Sequence, residues 1–112
     1  MEISDEHVKI SIFLKDKDNL LANATVSLET IAYGFVTIKD FQIWKSKNMN
    51  YQLQEYINIQ PPSRNVWGKY IVRAFFEDKE LWNKLKERIY DAYNLARIKN
   101  QNKEGSNSNY ER

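Results

Sequence analysis

Between Arg64 and Arg73 the sequence mixes basic and aromatic side chains in a pattern that suits a polyanion. Arg64, Lys69 and Arg73 supply positive charge, and Trp67 stands beside Gly68 in the same stretch. An arginine can pair with a phosphate or with a guanine edge, whereas a lysine acts as a point charge. An exposed tryptophan can stack on a base. Trp67 could equally fold back as a hydrophobic lid, and the residues alone leave both interpretations open.

Charge is unevenly distributed along the chain. The formal net charge is only +2, but residues 45–76 carry five cations against the single carboxylate of Glu55, a net of +4. Residues 1–44 carry four cations against seven carboxylates, a net of −3. Such a basic segment is either an ordinary solvated face or a surface that attracts polyanions, most commonly nucleic acid. The predicted nucleic-acid-binding residues are Arg64, Lys69, Arg73, Lys45, Lys47 and Trp67.

The sequence contains few residues that could support catalysis. With no cysteine and one histidine, His7, thiolate catalysis and a histidine-cluster metal site within one chain are excluded. Asp16 and Asp18 are paired carboxylates, but they fall in a polar turn, where nothing predicts the burial that a general acid needs. No glycine-rich phosphate loop occurs among the three glycines. We therefore expect no enzymatic activity, no metal and no cofactor.

Length and composition predict one small cytoplasmic domain. The chain has 112 residues, the length of a single domain, and 42% of them are apolar, enough for a core. No apolar run reaches the roughly 18–20 residues that cross a bilayer. The acidic N-terminus lacks the apolar stretch of a secretory signal, and the absence of cysteine suits a reducing compartment. We expect no membrane partner.

Alternating apolar residues predict the strands that would position the basic stretch. Four strands precede it, over 8–14, 22–29, 33–44 and 53–59. The first two form a hairpin across a loop at 15–19, and the third is followed by a polar connection at 45–50. The alternation slips at Lys39–Asp40, which predicts a β-bulge. Pro61 and Pro62 end the fourth strand because neither can donate to a ladder.

The basic stretch itself is predicted as a loop over 63–68 and a strand over 69–76. That strand is apolar on both faces, so we expect it to lie centrally or to pack under a helix. Asp78 is a good N-cap for an amphipathic helix of about 20 residues, in which Trp82 and Tyr93 lie on the apolar stripe.

The predicted fold class is α+β, an antiparallel sheet of about four to five strands followed by one long C-terminal amphipathic helix. This single domain covers residues 1–98. Residues 99–112 have almost nothing to bury and predict a disordered polar tail. An open sheet leaves an edge to be covered, so the first strand, interrupted only by Lys9 and Ser11, is the predicted pairing edge of a dimer.

Several short motifs, in order over roughly residues 8–95, resemble the SpoVG family of small bacterial septation and sporulation regulators. Pro62-Ser63-Arg64 is similar to the family's P-S-[KR] loop, and the stretch from Gly68 to Phe76 is similar to the strand that follows it. Val72 and Phe76 stand where the family has an aspartate and a proline. The other matching stretches are Ala22–Leu28, Phe35–Ile43 and Ala92–Tyr93.

The resemblance implies a SpoVG-like fold and a dimeric, nucleic-acid-binding regulator without catalytic activity. Arg64 is the one position that matches the family's basic loop, and the other predicted residues come from charge and position. The leading hypothesis is a sequence-tolerant DNA- or RNA-binding homodimer that uses the 45–73 face. The alternative is a protein-interaction module without nucleic-acid affinity, which the small net charge and the many aromatic residues also allow.

Overall fold

The computed structural model describes residues 2–4 and 7–110, and the side chains of residues 7–101. Five strands form one antiparallel sheet in the order β1-β2-β3-β4-β5, and two more form a separate hairpin before the helix. The predicted α+β class, with a sheet followed by one long helix, is confirmed. The elements are β1 Glu2–Ser4, β2 Val8–Lys17, β3 Leu20–Thr30, β4 Gly34–Asn50, β5 Glu55–Gln60, β6 Ser63–Val66, β7 Lys69–Val72 and α1 Lys79–Tyr110.

The first hairpin is tighter than the sequence predicts. Strands β2 and β3 continue through the charged residues to a two-residue turn at Asp18–Asn19, and Lys17 lies opposite Leu20. The loop predicted over 15–19 is therefore wrong. An exposed strand end tolerates charged side chains, and only Asp18 must adopt a positive φ, of 57°.

The β-bulge predicted at Lys39–Asp40 is confirmed. Ala24 lies opposite Phe41 while Val26 lies opposite Ile38. Between these two pairs β3 has one residue and β4 has two, so β4 carries one extra residue. Asp40 has a φ of 72°. The extra residue changes the phase of the pleat and turns Phe41 toward the core.

Strand β4 extends to Asn50, so the polar connection predicted over 45–50 is wrong. Its partner β5 begins at Glu55 and places Ile57 opposite Lys45. Sheet pairing uses backbone groups, so polar side chains do not end a strand when one of its faces is solvated.

The core lies between α1 and one face of the five-stranded sheet. Ile10, Val26, Phe41 and Ile43 of the sheet and Ile89 of the helix are fully buried. We call the opposite side of the sheet the open face. The amphipathic stripe of α1 is confirmed, because its buried residues recur at helical spacing: Leu85, Ile89, Ala92, Tyr93 and Ala96.

The helix begins where the sequence predicts and ends later. The carboxylate of Asp78 accepts the backbone N–H of Leu81 at 3.1 Å, which confirms the N-cap. The helical backbone continues past Ile98 to Tyr110, whereas a disordered tail is predicted from residue 99. Once a helix is nucleated, each further residue adds one hydrogen bond without a new nucleation step. Residues 111–112 of that predicted tail lie outside the described residues.

Three stacked rings join the sheet, the helix and the chain leaving β7. The Phe76 and Trp82 rings lie 5.4 Å apart and nearly parallel, and Phe41 lies 6.3 Å from Phe76 and 6.0 Å from Trp82. Trp82 thus packs against the core, as predicted. Over its described length, α1 has no segment with the length and apolarity needed to span a bilayer.

The edges of the sheet differ from the prediction. Strand β2 pairs with both β1 and β3, so the prediction that it is the free pairing edge is wrong. The three-residue strand β1 covers the outer edge of β2. The sequence did not predict β1 because the N-terminus is acidic and shows no regular alternation. Strand β4 pairs with β5 only from Gln42 onward, so among the described strands its first seven residues pair only with β3.

Candidate nucleic-acid interface

The predicted basic stretch forms a two-stranded ribbon, here defined as β6 and β7 with their turn. Val66 lies opposite Lys69, and Arg64 lies opposite Ile71. The loop predicted over 63–68 is therefore wrong. The strand predicted over 69–76 is present only as Lys69–Val72, and its predicted central or helix-packed position is wrong. All four residues of β7 are exposed, so their apolar side chains do not contribute to the core as the sequence pattern suggests.

A turn of Trp67 and Gly68 closes the ribbon. Their φ values are 55° and 83°, so both central residues are left-handed, as in a type I′ turn. The backbone N–H of Gly68 donates to the side-chain oxygen of Asn65 at 3.0 Å, which fixes the turn. The usual first residue of such a turn is asparagine, and a bulky aromatic residue with positive φ is an outlier.

The register gathers three of the predicted cations on one side of the ribbon. Residues opposite each other, and residues two apart, share a face, so Arg64 and Lys69 lie on the same side with Ile71. The N–H of Arg73 donates to the carbonyl of Pro62 at 2.7 Å, so Arg73 continues this alternation. We call this side the basic face.

The cations of the basic face are exposed and have no carboxylate partner among the described side chains. Within residues 7–101, no carboxylate lies within ion-pair distance of Arg64, Lys69 or Arg73. The sequence itself contains no acidic residue between Glu55 and Glu77. Carboxylates of the acidic N-terminal third that the structure describes therefore do not neutralise the ribbon.

Trp67 stands at the tip of the ribbon with 98% of its surface exposed. The interpretation of this residue as a hydrophobic lid is thereby wrong, and base stacking is the interpretation that remains of the two. Exposure and left-handed backbone each disfavour tryptophan at this position. The stability of the folded chain therefore does not explain why tryptophan is there.

The other side of the ribbon is attached to the open face of the sheet. The Tyr70 ring meets the Trp44 ring edge-on, with centroids 6.0 Å apart. Gln42 links the two elements, since its amide donates to the carbonyl of Ser63 at 3.2 Å and its oxygen accepts the indole N–H of Trp44 at 2.9 Å. These contacts orient the ribbon and leave its basic face outward.

Lys45 and Lys47, the remaining predicted lysines, lie on β4 rather than on the ribbon. Both are exposed. Lys45 occupies the helix side of the sheet and lines a shallow depression of about 450 Å³ with Tyr93 and Arg97. Its neighbour Trp44 points to the open face, so the alternation of the strand separates Lys45 from the basic face.

Glu55, the one carboxylate of the basic segment, is bound by the helix. Both terminal nitrogens of Arg97 donate to it, at 2.8 and 3.0 Å, and the hydroxyl of Tyr90 donates at 2.6 Å. The hydrogen bonds from Arg97 lower the pKa of Glu55 from its usual 4.5, although partial burial opposes them. The Arg97 guanidinium also lies 4.3 Å from the Tyr93 ring centre. The Glu55 carboxylate therefore links β5 to α1 through these hydrogen bonds.

Replacing Glu55 by glutamine is expected to lower the free energy of unfolding at pH 7 by about 1–2 kcal/mol, because a charge-assisted bidentate contact on a partly exposed pair is lost. Since the folded-state pKa of Glu55 is depressed, its contribution is fully present above the unfolded pKa and is lost as the pH falls through the folded value. Urea unfolding of both proteins from pH 7 to pH 3 measures this difference.

The matched control is Glu87→Gln, which changes an exposed carboxylate of the same helix and should alter stability by less than about 0.5 kcal/mol. A gap between wild type and Glu55→Gln that persists unchanged into strong acid would contradict the assignment.

Among the side chains that the structure describes, the other chemistry-bearing residues do not converge on a second site. His7 is exposed and its Nδ1 lies 2.9 Å from a Glu29 carboxylate oxygen. Asp16 and Asp18 are both exposed. In the described part of the chain, no three histidine, aspartate or glutamate side chains come together in a way that could hold a metal ion.

No family model, curated protein or solved structure matches this chain. The resemblance to the SpoVG family stays a prediction from its motifs.

Proposed function

We propose that this protein is a nucleic-acid-binding regulator that acts as a homodimer and binds DNA or RNA through the ribbon with little sequence preference. One observation carries the proposal. Three cations lie on one exposed face without a carboxylate partner among the described residues, and a fully exposed tryptophan stands at the tip.

The basic face suits a phosphate backbone in its dimensions. Lys69 begins β7 and Arg73 directly follows its last residue, four residues on and about 13 Å away in extended geometry, and Arg64 lies across the ribbon between them. Each cation that meets a phosphate releases condensed counterions, so affinity depends on salt rather than on sequence. Arg64 can add bidentate recognition of a phosphate or a guanine edge. Lys45 lies on the helix side of β4 and is not part of this surface, so the proposal rests on Arg64, Lys69 and Arg73.

The contribution of the basic face is measured by titrating nucleic-acid binding with salt. The double variant Arg64→Ala, Lys69→Ala should reduce the slope of log affinity against log salt by about 1.4–1.8 per subunit, because two phosphate contacts are lost. Fluorescence anisotropy with labelled single- and double-stranded oligonucleotides provides the measurement and separates the two ligands.

The matched control is Lys84→Ala, Lys99→Ala, which removes the same charge from exposed positions of α1 and should leave the slope close to that of wild type. Parallel slopes for the ribbon variant and wild type would show that the ribbon does not carry the binding.

A protein-interaction module is the second candidate, and a specific observation favours it. Tyr70, Ile71, Val72 and Phe75 leave about half or more of their surfaces exposed, and such apolar residues can form the centre of a protein interface. This candidate predicts no binding of random oligonucleotides at low salt, together with a stable protein partner whose capture requires these side chains.

A further inference from the structure

The first seven residues of β4 form a long exposed strand segment of the large sheet. Over Gly34–Asp40 every residue except the half-buried Ile38 is exposed, including side chains on both faces. Their outer backbone edge faces no described strand, because β5 begins to pair only at Gln42. Phe35 and Val36 each leave about two-fifths of their surface exposed. An edge of this length and character pairs readily with another strand.

The sequence of this edge is complementary to itself in antiparallel pairing. With a two-fold axis at Thr37, Val36 lies opposite Ile38 of a second copy, and Phe35 lies opposite Lys39. Thr37 then pairs with the same residue of the other chain. Apolar and Thr–Thr pairs are favourable across strands, and no like charges lie directly opposite each other. The Phe35 ring already has the Lys9 ammonium of its own chain 4.5 Å from its centre, so the apolar and Thr–Thr pairs carry the complementarity.

The dimensions of the edge select this register. Gly34 and Asp40 have φ values of 71° and 72°, so the extended run of this edge is Phe35–Lys39, and an axis at Thr37 uses all five of its residues. An axis one residue later would bring Val36 against Asp40, whose backbone is not extended. The exposed tip residues Ile31 and Tyr33, with 107% and 86% of their surfaces free, would then lie against the end of β5 of the second copy. They add apolar area to the backbone pairing.

We propose that a second copy of this chain docks on Gly34–Asp40 and joins the two five-stranded sheets into one continuous antiparallel sheet. The two-fold axis is perpendicular to the sheet, so both helices lie on one side and both open faces on the other. This interface specifies the homodimer of the proposed function, but it does not depend on nucleic-acid binding.

The position of Thr37 on the axis allows a sharp test. Thr37→Lys places two lysines, and Thr37→Glu two glutamates, directly opposite each other in a dimer. Each variant alone should dimerise about a hundredfold more weakly than wild type, because like charges meet at an interface. Mixed together, they should form a heterodimer with paired opposite charges. Sedimentation velocity measures the association, and native mass spectrometry distinguishes the heterodimer from either homodimer.

Ser27→Ala is the matched control, because Thr37 exchanges a 2.7 Å hydrogen bond with Ser27 and the variant removes that bond without adding charge. It should dimerise as wild type does. Hydrogen exchange on wild type needs no substitution, and the amides of residues 34–40 should become more protected as protein concentration rises.

The proposal would be overturned if wild type is a monomer, or if Thr37→Lys dimerises as tightly as wild type. It would also be overturned if the exchange of the amides of residues 34–40 does not change with protein concentration. Loss of the salt-slope effect at the ribbon would instead overturn the proposed nucleic-acid function and leave the dimer standing.

Discussion

Replacing Trp67 by asparagine is expected to weaken nucleic-acid binding by about 5- to 100-fold while the folded protein becomes no less stable. Stacking of one base on an aromatic side chain contributes about 1–3 kcal/mol. Trp67 has 98% of its surface free and makes no ring contact with another described residue, so its removal takes nothing from the core. Anisotropy titrations at one fixed salt concentration measure the affinity, and thermal unfolding measures the stability.

The stability is expected to move in the opposite direction to the affinity. Trp67 has a φ of 55°, which strains a bulky residue, and asparagine is the residue that this turn position favours. The variant should therefore gain up to about 1 kcal/mol, with the Asn65–Gly68 hydrogen bond retained. A residue that strengthens binding while it lowers the stability of the fold is typical of a functional site.

Tyr51→Asn is the matched control, because Tyr51 is an exposed aromatic residue in the turn between β4 and β5, away from the ribbon. It should bind nucleic acid as wild type does. Equal affinity of wild type and Trp67→Asn would refute the stacking role. A loss of affinity accompanied by a large loss of stability would show instead that Trp67 supports the fold.

Local patterns predicted the parts of the fold that local physics decides. The slip of alternation at Lys39–Asp40 marks the bulge because the pleat has a period of two residues. Asp78 and the apolar stripe mark the helix because capping and burial follow short-range spacing. The end of the helix was missed, since the polar residues after Ile98 neither favour burial nor interrupt a helix that has already formed.

The ribbon was missed because its apolar residues do not serve the core. Tyr70, Ile71 and Val72 read as a buried strand, and a sequence pattern cannot distinguish a strand that faces the core from one that faces a partner. Its turn lacks the Asn-Gly or Asp-Gly pair that marks a type I′ hairpin, since tryptophan occupies the first central position.

The candidate site was predicted in part for the same reasons. The spacing of Arg64, Lys69 and Arg73 indicated a basic stretch, but only the hairpin register places them on one face. Lys45 is separated from the basic face because it alternates to the side of the sheet on which the helix packs. The sequence does not show on which side the helix packs. The ion pair of Glu55 with Arg97 joins residues 42 positions apart, so no local sequence pattern predicts it.

Replacing Phe41 by alanine is expected to destabilise the protein by about 3–5 kcal/mol, a large part of the stability of a small domain. Phe41 is fully buried and its ring packs against Phe76 and Trp82. The cavity would loosen the start of α1 and the attachment of the chain that leaves the ribbon. Urea unfolding followed by tryptophan fluorescence measures the change in the free energy of unfolding.

Phe13→Ala is the matched control for that loss, because Phe13 lies on the open face of β2 with 55% of its surface exposed. It should cost less than about 1 kcal/mol, since most of its ring is already in water. The difference between the two variants isolates the buried ring stack. Equally large losses for Phe13→Ala and Phe41→Ala would mean that the open face of the sheet is covered in solution. A small loss for both would mean that the three rings do not join the helix, the sheet and the chain that leaves β7 into one cooperative unit.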